Sequence, residues 1–398
     1  MGSSIGANIR RERERHGWSQ SRLAREVCRL AGVIGEPVGR QEISRWETGK
    51  RKPREWLPLL AAALGVPVDA LTGAGTPPEP PLPSLDDYLP EGDPLAPLTA
   101  RRGRRVGVDA VRDLQQRVHG LRLADDVIGG RDLLRPALRE LRSAVRVYRE
   151  GTFTEVVGRS LLQAIGELAQ IAGWIASDAG QHDQAERIYR LGLSAARTAG
   201  DTTLAGNLLG SLAYQRMNTG DVREGLTMAR AALENAHDAP PRARALYLDR
   251  VAWAHAKRGE AQEAMRAVNA ASDALAGHGG EDEPGYLYWV DAGELQVMES
   301  RVYTELRRPL RAVPILREVL SRYDATHTRE LALYLSWLVV ALADANEPEE
   351  AAATAERVVA LSADVSSERT AERVRVVLTR LEEFRDVPEV RAVLDSAA

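Results

Sequence analysis

The chain has 398 residues and a net charge of −4, with 44% hydrophobic and 28% charged residues. This length is enough for two or three domains, and the composition is that of a globular protein, not of a disordered or collagen-like one. The single cysteine, Cys28, excludes a disulfide within the chain and a metal site built from several cysteines. No apolar stretch reaches the length of a membrane span and no secretory signal opens the sequence, so we expect a cytoplasmic protein.

Positive charge is concentrated at the N-terminus. Residues 1–75 contain 13 arginines and lysines against 8 aspartates and glutamates, a net charge of +5. Because the whole chain carries −4, the remaining residues carry −9. We call the basic residues 1–75 the head and the acidic remainder the body. This charge distribution predicts that only the head binds a polyanion such as nucleic acid.

Five short helices are predicted in residues 1–72, which we expect to form one domain. Glycines and a serine N-cap punctuate this region and set the helix ends. The predicted helices run over Ile5 to His16, Gln20 to about Leu30, Arg40 to Glu47, Arg54 to Leu64 and Val68 to Leu71.

Three motifs occur in order along these helices. They are Trp18-Ser-Gln-Ser-Arg-Leu-Ala24, Gln41-Glu-Ile-Ser-Arg-Trp-Glu-Thr-Gly-Lys50 and Leu59-Leu-Ala-Ala-Ala-Leu-Gly-Val66. Together they resemble the Xre family of lambda-repressor-like helix-turn-helix domains, over about residues 5–72. The resemblance implies a five-helix DNA-binding fold whose third helix lies in the major groove.

The resemblance also implies which side chains contact DNA. Base contacts are expected from the exposed face of the third helix, because guanidinium and amide groups pair with guanine and adenine edges. The residues of this face are Arg40, Gln41, Ser44 and Arg45. Phosphate contacts are expected at the start of the second helix, from Gln20, and in the segment after the third helix. The residues of that segment are Lys50, Arg51, Lys52 and Arg54. Ile43 and Trp46 should face the core.

Two features of the head leave alternatives open. The connection from Ala31 to Gly39 is longer than the short turn usual in the family, which leaves the start of the third helix in doubt and offers a further DNA contact. The arginines at 10, 11, 13 and 15 alternate with Glu12 and Glu14, a pattern more typical of a solvated helix face than of a DNA contact.

Residues 73–105 are predicted to be a linker between the head and a second domain. The run from Gly73 to Ala100 is rich in proline, glycine and acidic residues. Such a composition buries too little apolar surface to order itself and disfavours helix, so we expect a semi-extended segment.

Residues 106–398 are predicted to be long amphipathic helices with an internal repeat. The sequence Gly180-Gln-His-Asp-Gln-Ala185 recurs in similar form at 220–225 and 259–264, and in degenerate form at 307–312 and 346–351, at offsets of 40, 39, 48 and 39 residues. Each copy is interpreted as the turn of a helical hairpin. The positions of Gly173, Gly180, Ala185 and Tyr189 resemble tetratricopeptide repeats with longer helices; an irregular helical bundle is the alternative.

Stacked hairpins of this kind form a concave surface. The repeat pattern places on it Glu167, Gln170, Trp174, Asn207, Tyr214, Asn218, Asp249, Trp253, Lys257, Glu294 and Arg301. Trp174, Tyr214 and Trp253 recur at equivalent positions of successive repeats. They are interpreted either as packing between repeats or as contacts with a peptide or a flat small molecule.

No phosphate-binding loop, paired metal-ligand spacing or nucleophile–base arrangement is present, so the sequence predicts no enzyme, no cofactor and no metal. An all-α chain with this head and this body is similar to the RRNPP group of peptide-sensing regulators and to actinobacterial regulators. The resemblance implies a homodimer that binds double-stranded operator DNA and senses a peptide or small molecule through its repeats. The alternative is a protein-interaction scaffold that its head tethers to DNA.

Overall fold

The computed structural model describes residues 5–31, 37–66, 68–72, 84–90, 95, 103–277, 283–323, 327–363, 365 and 367–397. The chain divides into two compact units, residues 1–82 and 83–398. Regular secondary structure in the described ranges is entirely helical, as the sequence predicts, apart from one isolated bridge between Arg105 and Thr152. No helix in these ranges has the length and apolar character to cross a membrane.

The first unit contains five short helices, as the sequence predicts. They are α1 (Ile5–Arg15), α2 (Gln20–Ala31), α3 (Arg40–Glu47), α4 (Leu57–Ala63) and α5 (Val68–Thr72). The prediction that α4 begins at Arg54 is wrong, because Pro58 lies in its first turn. Proline lacks an amide hydrogen and is tolerated only there, so the helix begins just before it.

The core of the first unit fixes the orientation of α3. Ile9, Leu23 and Ile43 are fully buried, and Trp46 is 3% exposed. Gly6 of α1 lies so close to α3 that a Cβ there would approach the Trp46 carbonyl oxygen to 2.3 Å. Because Ile43 and Trp46 face inward as predicted, the opposite side of α3 faces outward.

Part of the predicted linker is packed on the second unit. Residues Leu85–Tyr88 form a turn of 3₁₀ helix, and the Tyr88 carbonyl accepts a hydrogen bond from Arg190 at 3.0 Å. Tyr88 and Leu95 are 7% and 4% exposed. The prediction of a semi-extended segment is therefore wrong for residues 84–90, because apolar side chains of this region pack against the second unit. Residues 73–83 and most of 91–102 lie outside the described part of the chain, as do residues 32–36 of the long connection.

The second unit is a series of antiparallel helical hairpins. Its helices are α6 (Val108–Asp125), α7 (Gly130–Glu150), α8 (Glu155–Asp178), α9 (His182–Ala199), α10 (Thr202–Asn218), α11 (Val222–Asn235), α12 (Pro241–Lys257), α13 (Ala261–Ala276), α14 (Ala292–Glu305), α15 (Pro309–Ser321), α16 (Thr328–Asp344), α17 (Pro348–Ala363), α18 (Glu368–Leu381) and α19 (Pro388–Ser396). Short 3₁₀ turns precede α14 and α19, at Gly285–Leu287 and Glu382–Phe384.

The five repeat signals all fall at hairpin turns, and each turn uses the same backbone conformation. Gly180, Gly220 and Gly259 have φ of 77°, 111° and 73°. The degenerate copies place Arg307 and Asn346 in the same left-handed region, with φ of 54° and 63°. That region disfavours side chains with a Cβ, so its retention in the degenerate copies indicates that the turn geometry matters more than the residue.

The close packing expected within the first hairpin is present. A Cβ on Gly173 of α8 would lie 2.5 Å from the ring of Tyr189 on α9, and Tyr189 is fully buried. The small residue after the turn serves the same purpose in the next hairpin, where a Cβ on Gly225 would lie 2.3 Å from Met217. Small residues therefore let the two helices of these two hairpins approach closely.

The two ends of the hairpin series meet through a buried ionic cluster. Asp125, at the end of α6, accepts two hydrogen bonds of 3.1 Å from Arg329 of α16. Asp178, at the end of α8, lies 3.7 Å from the same guanidinium and accepts a hydrogen bond from Ser367 Oγ at 2.9 Å. None of these four residues, which we call the closure cluster, is more than 4% exposed. The series of hairpins therefore closes on itself around a central cleft.

Candidate functional site

The outer face of α3, formed by Arg40, Gln41, Ser44 and Arg45, is directed into solvent. Arg40, Gln41 and Arg45 are exposed, and Ser44 is half-buried. The helix has no side-chain cap at Gly39, so its first amides are free of side-chain partners. An exposed helix with guanidinium, amide and hydroxyl groups along one side has the donors that base edges in a major groove accept.

Two arginines near this face are paired within the head. Arg45 donates to Glu42 Oε1 at 2.6 Å, and Arg51 donates to Glu42 Oε2 at 3.1 Å. Glu42 is only partly exposed, whereas both arginine side chains are more than half exposed. One carboxylate thus holds two cationic side chains side by side, and a phosphate or base acceptor would have to compete with it.

Gln20 takes part in a network that fixes the end of α3. Its amide donates to Glu47 Oε2 at 2.8 Å. Arg13 donates to both oxygens of Glu47, at 2.6 and 3.2 Å, and to the Trp18 carbonyl at 2.7 Å. The interpretation of Arg13 as part of a solvated face is wrong, because it is 9% exposed and joins α1 to α3. The network leaves Gln20 partly exposed at the start of α2.

The basic side chains of the segment after α3 lie on the surface, whereas Pro53 between them is buried. Gly49, with φ of 73°, turns the chain at the end of the helix. The four cationic side chains that follow are all exposed: Lys50, Arg51, Lys52 and Arg54. A cluster of flexible positive charge next to an exposed helix suits contacts with a phosphate backbone.

The cleft of the second unit has a volume of about 1260 Å³. Nine of the eleven residues predicted for the concave surface line it: Gln170, Trp174, Asn207, Tyr214, Asn218, Trp253, Lys257, Glu294 and Arg301. Glu167 and Asp249 do not. Glu167 lies beside Arg122 at 3.7 Å, and Asp249 is 6% exposed and paired with Arg250 at 3.0 Å. The prediction that these two carboxylates face the cleft is therefore wrong, because each is used by a neighbouring arginine.

The predicted aromatic series both packs and lines the cleft. Trp174 stacks on Tyr214 with ring centroids 5.8 Å apart. Trp253 meets Trp337 of α16 edge-on at 5.6 Å. Trp253 is only 2% exposed, whereas Trp174 and Tyr214 are half-buried. The same aromatic residues therefore pack between repeats and line the cleft.

Guanidinium groups lie over these rings. Arg250 and Arg301 are 4.4 and 5.5 Å from the Tyr214 ring, and Arg301 donates to the Tyr214 hydroxyl at 2.8 Å. Burial alone raises the pKa of the Tyr214 phenol, but the charges of Arg301, Arg369 and Arg250 outweigh it and lower the pKa to about 8. The electrostatic character of this wall is therefore cationic.

Comparison with known proteins identifies the first unit. Residues 4–74 match a family model described as a helix-turn-helix domain. This region is a helix-turn-helix domain. No curated protein and no solved structure matches the chain.

Several cleft residues escaped the sequence analysis. Arg369, Arg373 and Trp337 line the cleft but lie on α16 and α18, beyond the hairpins to which the concave-surface pattern was applied. The repeat signal at 346–351 could have extended that pattern to α16. Nothing in the repeat pattern indicates that α18 returns to the first hairpins, because that contact depends on how the series closes.

Proposed function

We propose that the protein is a sequence-specific transcription regulator of the Xre type, whose tetratricopeptide-like second unit binds a signal molecule and forms a homodimer. The observation that carries the proposal is the outer face of α3. Ile43 and Trp46 anchor this helix in the core, while Arg40, Gln41 and Arg45 remain in solvent. The proposal assigns the protein a binding role without catalysis.

Dimerisation follows from the small size of one reading helix. Helix α3 has eight residues and presents one short set of base-reading groups. Two such heads on one molecule of DNA multiply a weak contact and require half-sites about one helical turn apart, roughly 10 base pairs, or a multiple of it.

Signal binding is supported by the cleft. Its volume of about 1260 Å³ exceeds the roughly 300–1,000 Å³ usual for small-molecule pockets. A ligand there would contact both ends of the hairpin series. It would change DNA binding only by the difference between its affinities for the two conformations of the protein.

The experiment that tests the DNA-reading assignment begins by selecting bound sequences from a random DNA pool with the full chain. Arg45→Ala is then compared with wild type on the selected site and on unrelated DNA. We expect a loss of about tenfold to a hundredfold on the selected site and little change on unrelated DNA, because a base contact contributes about 1–3 kcal/mol. Arg11→Ala, an exposed change on α1, is the matched control.

Unchanged affinity and unchanged selectivity of Arg45→Ala would contradict the assignment of α3. The dimer is tested separately by the mass of the protein–DNA complex in sedimentation. We expect two chains on a site with two half-sites, and one chain per selected site would contradict that part of the proposal.

A further inference from the structure

Two arginines lie against one tryptophan at the wall of the cleft. The guanidinium of Arg373, on α18, is 3.7 Å from the centroid of the Trp337 ring. That of Arg301, on α14, is 5.3 Å from the same centroid and 4.8 Å from that of Trp253. Two like charges thus share one aromatic surface.

In the described part of the chain, neither Arg301 nor Arg373 forms an ion pair. Arg373 donates to the Oγ of Ser336 at 2.9 Å, which is a neutral partner. Arg301 donates to Tyr214, and its Nε is buried without a hydrogen-bond partner. Arg373 also donates to the Ser336 carbonyl oxygen at 3.5 Å, so the unsatisfied donor is the Nε of Arg301, which is unfavourable for a partly buried charged group.

The neighbouring carboxylates are already committed. Glu294 accepts a hydrogen bond from the Tyr334 hydroxyl, and Asp249 is paired with Arg250. Burial and the nearby charge of Arg301 together lower the pKa of Arg373 to about 10, so it stays protonated at neutral pH under repulsion. Burial lowers the pKa of Arg301, but Tyr214, Asp249 and Glu294 outweigh burial and raise that pKa. Neither carboxylate, however, forms an ion pair with Arg301 or Arg373 in the described residues.

A third guanidinium extends this cationic wall. Arg369 lies 5.1 Å from the centroid of Trp174, and its Nε has no hydrogen-bond partner. The closest carboxylate oxygen, on Asp178, is 3.9 Å away and already accepts a hydrogen bond from Ser367. The cationic wall thus runs beside the stacked rings of Trp174 and Tyr214.

Two amide side chains of the cleft, those of Gln170 and Asn218, already have hydrogen-bond partners. Gln170 accepts from Arg122 at 2.7 Å and donates to Ser211 at 3.4 Å. Asn218 donates to the Tyr214 carbonyl at 2.9 Å and accepts from the Trp253 indole at 3.2 Å. The guanidinium groups of Arg301 and Arg373 have no carboxylate partner in the described residues, and such groups bind anions by charge-assisted hydrogen bonds, so this part of the cleft favours an anion.

We propose that the signal is a small organic anion with a planar ring, whose carboxylate or phosphate is held between Arg301 and Arg373 and whose ring stacks on the aromatic side chains of the cleft. This inference rests on the proposed function, because it names the ligand class of the same cleft. The bound anion would balance the paired guanidinium charges, and the ring would use the cation–π and stacking surfaces of the wall.

The test measures binding of three probes to the full chain by calorimetry: indole-3-acetate, phenyl phosphate and the uncharged indole-3-acetamide. We expect at least one of the two anions to bind about tenfold or more tightly than the neutral amide, because hydrogen bonds to charged groups exceed those to neutral ones. Preference for the carboxylate or for the phosphate then distinguishes the two sources of negative charge.

Two variants locate the anion. Arg301→Met and Arg373→Met should each weaken binding of the preferred anion by about tenfold, with little effect on the neutral amide. Both variants should keep the helical circular dichroism of the wild type. Arg317→Met, an exposed change on α15 that does not line the cleft, is the matched control and should bind as wild type does.

Equal binding of the anions and the neutral amide, or unchanged anion binding in both variants, would overturn the inference. Binding of tetraglutamate in place of the aromatic anions would also overturn it, because the ring would then be unnecessary. DNA binding is measured on the same samples. If a neutral ligand altered operator affinity, the proposed function would be supported and the anion proposal contradicted. If the wild-type chain recognised no operator, the proposed function itself would be contradicted.

Discussion

Removing the guanidinium of Arg329 should destabilise the second unit strongly. In the closure cluster this group contacts both oxygens of Asp125 at 3.1 Å, Glu330 at 2.8 Å and Asp178 at 3.7 Å. Arg329→Met keeps most of the apolar stem but removes the charge. The side chains of Asp125 and Asp178, 6% and 1% exposed, would then be left close together with no comparable cation.

The expected loss follows from this burial. Breaking a buried ion pair by removing one partner costs about 3–5 kcal/mol, because the remaining charge is neither paired nor solvated. A typical domain has about 5–15 kcal/mol of stability in total, so the loss is a large fraction of it. The penalty should be smaller at pH 5 than at pH 8, because burial already raises the pKa of Asp125 to about 6 and its carboxylate can take up a proton at pH 5.

The assay is urea denaturation followed by circular dichroism and by tryptophan fluorescence. Arg317→Met is the control, because Arg317 and Glu350 form an ion pair in which both side chains are about half exposed, 53% and 45%. Such pairs contribute at most about 1 kcal/mol. If Arg329→Met lost no more stability than this control, the closure cluster would not be holding the ends of the hairpin series together.

Four further predictions concern single residues. Glu42→Gln removes the carboxylate that neutralises two arginines beside the outer face of α3, so DNA affinity measured by fluorescence anisotropy should rise severalfold; a fall would mean that Glu42 itself contacts a base. Tyrosinate absorbance should show Tyr214 titrating near pH 8 in wild type and at higher pH in Arg301→Met, and an unshifted titration would refute the electrostatic cause. Arg307→Gly should have a free energy of unfolding roughly 1 kcal/mol higher than Arg307→Ala, because both variants lose the ion pair with Asp344 and only glycine relieves φ of 54°. Burial, only partly offset by the charge of Arg329, raises the pKa of Asp125 to about 6 from 3.8. The stabilisation that Asp125 contributes is therefore full below pH 4 and is lost as the pH rises through 6. In urea denaturation at several pH values, the free energy of unfolding of wild type relative to Asp125→Asn should fall over this range by up to about 3 kcal/mol.

Local patterns in the sequence predicted the head well. The bounds of α3 and the inward direction of Ile43 and Trp46 follow from helix periodicity and from the Thr48-Gly49 stop, which act over a few residues. The hairpin turns were also predictable, because the signal at Gly180 repeats and the left-handed turn imposes a recognisable residue.

Long-range contacts could not be predicted in the same way. Arg329 meets Asp125 across 204 residues of sequence, and nothing in either helix indicates that partner. The packing of Tyr88 on the hairpins also depends on a surface that forms only after folding. The composition around Tyr88 predicted an extended segment, because composition indicates the average burial of a segment. It does not indicate that a single apolar side chain will pack on a distant surface.

The closure of the hairpin series has a consequence for synthesis on the ribosome. Trp174 and Tyr214 emerge early, but Arg369 and Arg373, which complete the wall beside them, lie on α18, close to the C-terminal end of the sequence. A nascent chain therefore carries an unfinished binding wall until α18 has been translated. Any premature stop before α18 would yield a protein that still has its helix-turn-helix domain but lacks Arg373, one of the two arginines that we propose to hold the anion.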